Sequence, residues 1–182
     1  EVTLPSNQNL IYRFRPFVLR EEKLLLMTNY GNDKAEFSKA IKKVLFDCSL
    51  NSIFTEEFIG RMSYFDTEFL YLALRARSVG EVQEVEYVCN NIPEGETEPC
   101  GTKVMVPVDF TKMEFEVPEG HTRSIELTDQ VVLNMNYPSF EYLEDYSKKI
   151  GQEGLPPDDM FDISLEYLAG LIDTVFTPDG VI

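Results

Sequence analysis

Phe69-Leu70-Tyr71-Leu72-Ala73-Leu74-Arg75-Ala76-Arg77-Ser78-Val79-Gly80 and, directly after it, Gln83-Glu84-Val85-Glu86-Tyr87-Val88 set the fold class, because the chain changes period between them. The first segment is apolar nearly all round from Phe69 to Leu74, the pattern of a helix buried in a core or under a partner, and Gly80 is a natural stop. The second alternates apolar with polar every two residues, the pattern of a strand with one sheltered face. A helix that gives way at once to a strand places helical and sheet regions in sequence rather than interleaved, which is the mark of an α+β arrangement.

Working outward from that junction, strands are predicted over Gln83–Val88, Thr102–Val106, Lys112–Val117, Arg123–Leu127 and Val131–Met135. Short connections between them predict antiparallel pairing, a meander of about five strands. The cleanest alternation is Lys112–Val117, with Met113, Phe115 and Val117 on one face and Lys112, Glu114 and Glu116 on the other; Thr128-Asp129 fits a tight turn.

Toward the N-terminus the sequence predicts helices from about Leu19, from Lys34 to Leu45 and from near Asp66, with a short one capped by Thr55. The second carries Phe37, Ala40, Ile41, Val44 and Leu45 on one stripe, with Lys39, Lys42 and Lys43 off it. Residues 1–18 read as an extended edge strand or docking arm, because Tyr12, Phe14 and Val18 alternate against Arg13 and Arg15, and Pro16 disfavours helix at Arg15. Toward the C-terminus, Ser139 is placed to cap a helix to about Ile150, with Gly151 ending it. After Pro156-Pro157 a last helix is predicted from about Asp159 to Phe176, using Tyr167, Leu168, Leu171, Ile172 and Val175 as its apolar face. Gly170 weakens that helix or permits close packing. The whole reads as one α+β domain of 182 residues: N-terminal helices, the meander, then two C-terminal helices. Within it, residues 1–80 and 137–182 form a helical lobe and residues 81–136 a sheet lobe.

The net charge is −16, which argues against nonspecific binding to nucleic acid and to anionic membranes, since both depend on Lys and Arg. No apolar run approaches the roughly 20 residues of a membrane span. Charge is also unevenly placed. Residues 13–43 hold eight Lys or Arg against four acids, and residues 139–173 hold nine acids against Lys148 and Lys149, so the two ends either attract each other or present complementary faces to partners. Three cysteines, an odd number, fit a reducing compartment better than a disulfide framework, and the front of the chain lacks the basic-then-apolar order of a signal peptide; a cytoplasmic setting is expected.

Chemistry-bearing patterns are sparse. Cys89 and Cys100 bracket a turn-rich acidic loop that is open to three readings: a plain hairpin loop, a disulfide, or half of a zinc site needing Cys48 and His121 as well. Asp158-Asp159-Met160-Phe161-Asp162 matches the D-D-x-x-D spacing by which diphosphate-handling enzymes hold magnesium, but it follows Pro156-Pro157, where first-turn acids of a helix belong. His121 has no nucleophile or orienting carboxylate at a recognisable spacing, and there is no P-loop or G-x-G-x-x-G. Tyr12, Phe14 and Phe17 among Arg13, Arg15 and Arg20 match a stacking platform for single-stranded nucleic acid in pattern. The acidity of the chain turns that segment into a protein-docking arm instead.

Two blocks carry a family resemblance. Leu4-Pro5-Ser6-Asn7 with Arg15-Pro16-Phe17-Val18-Leu19-Arg20-Glu21-Glu22-Lys23-Leu24-Leu25-Leu26-Met27, and Glu68-Phe69-Leu70-Tyr71-Leu72-Ala73-Leu74-Arg75-Ala76-Arg77-Ser78-Val79-Gly80-Glu81-Val82, resemble the T4-type bacteriophage baseplate hub and hub-assembly proteins. The resemblance covers about the first half of the chain, and its motifs are structural. It implies a non-enzymatic protein without cofactor or metal that binds phage baseplate hub proteins in the host cytoplasm and promotes their assembly. The alternatives are a structural subunit retained in the tail baseplate, or a metal-dependent enzyme using Asp158, Asp159 and Asp162. Partner contacts are expected in Leu10–Arg20 and Phe161–Phe176, through Tyr12, Phe14, Arg15, Phe17, Tyr167 and Leu171.

Overall fold

In the computed structural model, which describes residues 1–30, 34–152 and 154–181, the chain opens with a hairpin of β1 (Val2–Leu4) and β2 (Asn7–Tyr12). Four helices follow, α1 (Leu19–Tyr30), α2 (Lys34–Cys48), α3 (Glu56–Arg61) and α4 (Tyr64–Val79). Their starts are written in the sequence. Thr55 accepts a hydrogen bond from the Phe58 N–H, and Ser63 accepts one from Asp66 N–H while its hydroxyl donates to the Asp66 carboxylate, a reciprocal cap that satisfies groups a helix start leaves unpaired. The predicted stripe of α2 is the buried one: Ala40, Val44 and Leu45 are buried, with Phe37 and Ile41 packed against them.

Phe54 sits at the middle of the core, edge-on to Tyr12 and Phe14 at 5.0 Å each and to Phe58 at 5.2 Å. Leu70 and Leu74 of α4, Ile59 of α3 and Leu25 of α1 close the cluster around it. Fully burying an apolar side chain of this size contributes about 1.5–3 kcal/mol, so this cluster supplies most of what opposes chain entropy.

The second half of the chain is built differently. β3 (Val82–Val88) pairs only with β4 (Lys103–Asp109), and β5 (Ser124–Thr128), β6 (Val131–Met135), β7 (Ile172–Thr177) and β8 (Gly180–Val181) form a separate antiparallel sheet in chain order. Between β6 and β7 lie α5 (Phe140–Ile150), capped by Ser139, and α6 (Pro157–Gly170). α5 packs on α2, α3 and α4, and α6 packs on α5. Lys42 of α2 reaches Glu141 at 2.9 Å and Glu144 at 4.0 Å on α5, so the basic and acidic stretches of the sequence do meet.

The molecule is α+β, but the single five-strand meander is corrected to two sheets, and two predicted elements change. Lys112–Val117 is not a strand. β4 runs on to Asp109, whose carboxylate accepts from both the N–H and the hydroxyl of Thr111 and opens a single 3-10 turn at Phe110–Lys112. The chain leaves that turn without pairing, and Phe115 stacks on Phe65 of α4 at 5.3 Å instead. The last helix stops at Gly170 rather than Phe176, and Ile172, Thr174, Val175 and Thr177 enter a strand that pairs Val175 with Leu133 and Phe176 with Val132. Those β-branched residues lose side-chain freedom in a helix and fit a pleated surface, and the waiting edge of β6 decides the outcome.

Candidate partner-binding surface

Phe17 of the first signature block meets Ser78 of the second, and bonds to the flanking residues Asp66 and Glu1 add to that contact. Ser6 N–H donates to the Asp66 carboxylate at 3.0 Å, and Phe17 N–H donates to the Ser78 hydroxyl at 3.0 Å. Arg77 donates to the Glu1 carbonyl at 2.8 Å. The N-terminal segment is thereby tied to α4 at both ends.

Arg15 and Glu21 form the junction between α1 and α2. Glu21, 2 % exposed, accepts from Arg15 at 3.1 Å and Arg20 at 2.9 Å, and its other oxygen accepts the Val18 N–H at 2.8 Å, capping the start of α1. The Arg15 bond, with the Val18 N–H and Arg20 adding to it, holds the Glu21 carboxyl down at about 2 against the cost of burial. Arg15 also donates to the Asp47 carbonyl at 3.1 Å near the end of α2, where the helix dipole favours a cation. The Arg-Glu-Glu-Lys turn is thus a structural lock, and Arg15 is held inside this chain.

The six residues expected to contact partners are distributed as follows. Tyr12 and Phe17 are each 6 % exposed and belong to the core, and Phe14 is half-buried against Phe54. Tyr167 is stacked on Tyr146 at 4.1 Å and on Tyr142 at 5.0 Å, between α5 and α6. Leu171 is half-buried at the end of α6, where its carbonyl accepts the Asn136 N–H at 2.7 Å. The same two segments expose other side chains: Leu10 and Ile11 on β2, and Phe161, Leu165 and Leu168 on α6. Phe161, Leu165 and Leu168, at 63, 48 and 53 % exposure, recur at i, i+4 and i+7 and form one apolar stripe. On its inner side α6 spends Ser164 and Tyr167 on α5, through Ser164 Oγ to Tyr146 Oη at 3.2 Å and Tyr142 Oη to the Tyr167 carbonyl at 3.0 Å.

The chemistry-bearing candidates stay apart. Among the described residues no three His, Cys, Asp or Glu side chains come together as metal ligands would. Asp158 and Asp159 lie exposed in the first turn of α6, with Asp162 further along it. Cys48 is buried in the core, and burial pushes its thiol up to about 11. Cys89 and Cys100 are free at the base of the hairpin loop, where the Thr102 hydroxyl at 3.0 Å, helped by the Thr102 N–H and by Cys89, lowers the Cys100 thiol. His121 pairs with the Tyr137 hydroxyl at 2.7 Å.

A family model described as T4 bacteriophage base plate protein matches residues 1–182. The chain belongs to that family. No curated protein and no solved structure matches it. Membership covers the whole length, beyond the half that the two signature blocks anchor, and it gives the protein a structural or assembly role in the phage tail baseplate, in contact with other baseplate proteins. No helix among the described residues is long and apolar enough to cross a membrane.

Periodicity alone does not tell which residues of α6 are left uncovered. Leu165 and Leu168 have the same helical spacing whether they face a core or a partner. The signal that was available is Gly170. A Cβ there would run into the Tyr142 hydroxyl, which fixes the side of α6 that faces α5 and leaves the Phe161–Leu165–Leu168 stripe outward.

Proposed function

We propose that this baseplate protein is a non-enzymatic assembly factor of the hub: it binds hub components in the host cytoplasm and promotes their assembly. By covering apolar surface on a hub component with its own, it holds that component until the growing structure takes it over. The observation that carries this reading is the stripe Phe161–Leu165–Leu168 on α6; the β5–β8 sheet exposes further apolar side chains, Ile125 on one face and Phe176 and Val181 on the other. Contiguous exposed apolar side chains on this scale mark interaction surfaces rather than ordinary solvent-facing positions. Leu10 and Ile11 supply a second contact at the other end of the fold. With Tyr12 and Phe17 in the core and Arg15 locked on Glu21, the contacts assigned to the N-terminal arm move to these two neighbours.

A structural subunit retained in the virion is the second reading, and it uses the same surface. Affinity capture of the tagged protein from phage-infected cells, with finished particles assayed for the same polypeptide, tests both. Hub proteins in the eluate with particles free of the protein are the expected result. Its presence in particles at a fixed ratio to hub proteins makes it a structural subunit, and capture without any tail protein overturns the assembly reading.

A further inference from the structure

The β3–β4 hairpin has a second uncovered face, distinct from α6. Its register pairs Val85 with Val106, Tyr87 with Val104 and Gln83 with Val108. Residues opposite each other in an antiparallel pair share a face, so Val85, Tyr87, Val104, Val106 and Val108 form one continuous apolar strip. Tyr87, Val104 and Val106 are 56, 50 and 38 % exposed. The other face is mixed, with Val82, Val88, Met105 and Pro107 among Glu84, Glu86, Lys103 and Asp109, and Lys103 reaches Glu86 at 2.9 Å. A two-stranded hairpin is marginal in water by itself, so covering this strip would stabilise it.

The charge around the strip says what buries it. Residues 81–109 carry Glu81, Glu84, Glu86, Glu94, Glu96, Glu98 and Asp109 against Lys103 alone, in a chain whose net charge is −16. A second copy would bring the same acidic rim and the same net charge against it, a juxtaposition that costs free energy. A positively charged surface with an apolar centre meets both requirements.

We propose that the apolar face of the β3–β4 hairpin docks a net-basic protein subunit of the same phage tail, with the acidic loop of residues 90–99 steering the encounter. This rests on the baseplate role and adds to it a site and a partner chemistry. The loop raises the association rate through long-range attraction, and the strip sets the lifetime of the complex once water is excluded from it.

The test is hydrogen–deuterium exchange of the full chain, alone and mixed in turn with each purified structural tail protein of the same phage. The expected result is that a net-basic member slows exchange across β3 and β4 by about tenfold or more. Val104→Asp with Val106→Asp removes that protection, and Met105→Asp on the opposite face retains it. Because charges on the strip also weaken the hairpin, a loop variant serves as the second arm: Glu94→Lys, Glu96→Lys and Glu98→Lys leave both strands intact and slow association about tenfold at low salt. Partner binding that leaves hairpin exchange unchanged overturns the inference while the baseplate role stands, as does protection by an acidic member or by the chain's own dimer. If no tail protein binds anywhere on the chain, the assembly reading falls with it.

Discussion

From Leu4 to Ala76 the chain buries Phe54, Leu45, Ile59, Leu70 and Val44 almost completely, whereas from Glu81 to Val181 the single buried side chain among the described residues is Phe140, which belongs to the helical packing through α5. Both regions are rich in apolar residues and both have regular secondary structure. They differ in what lies over the apolar faces: four helices and a hairpin in the first, solvent in much of the second. The sheet of four strands exposes Ile125 on one face and Phe176 and Val181 on the other, so its apolar side chains are not covered from within the described chain. The first region makes the protein a folded object, and the second makes it a component.

The sharpest way to break this contrast is at its centre. Phe54→Ala removes the ring that Tyr12, Phe14 and Phe58 pack on, and is expected to cost about 3–5 kcal/mol by urea denaturation. A loss below about 1 kcal/mol would mean that the helical core is not what holds the molecule together.

Glu21→Gln comes next, at about 3 kcal/mol, near the low end for breaking a buried pair because Arg15 keeps partial access to water. Its pH dependence is specific. The carboxyl lies at about 2 in the folded chain against 4.5 for the ordinary group, so the stabilisation is fully present above about 4.5 and is lost as pH falls toward 2. Denaturation midpoints across that window should fall more steeply for the unsubstituted protein than for Glu21→Gln.

Gly170→Ala sharpens the boundary between the two regions. The added methyl meets the Tyr142 hydroxyl, and the expected cost is about 1–3 kcal/mol, appearing as faster amide exchange in α6 with α1–α4 unchanged. The smallest effect belongs to the uncovered surface itself. Phe161→Ser or Leu165→Ser should shift stability by no more than about 0.5 kcal/mol while weakening capture of hub proteins, the reverse of the pattern expected for Phe54→Ala.

Legibility in the sequence followed the same division. The starts of α3 and α5 could be placed because Thr55 and Ser139 act through bonds to residues three positions away, the start of α4 was read near Asp66 rather than at Tyr64 after its cap Ser63, and the stripe of α2 could be placed because its own spacing defines it. Strands β3, β4, β5 and β6 were visible in their alternation. The end of α6 was not, since Ile172–Phe176 satisfies a helical stripe locally and is drawn into a strand only by β6, 40 residues earlier in the chain. Lys112–Val117 alternates cleanly and still does not pair, because Asp109 turns the backbone just before it. The side chains expected to contact partners show the same limit, because residue type does not reveal burial. Aromatic and charged residues such as Tyr12, Phe17 and Arg15 stand out by type, yet the chain uses them internally, and the plainer Leu10, Ile11, Leu165 and Leu168 are left outside.

Native-state hydrogen exchange on the free protein tests the central contrast most directly. Amides in α2 and α4 around Val44, Leu45, Leu70 and Leu74 should exchange only through global unfolding, and those of β3–β4 and β5–β8 through local opening, about a hundredfold or more faster. Uniform protection from α1 through β8 would contradict the account, because it would make the uncovered half a self-sufficient part of one cooperative unit.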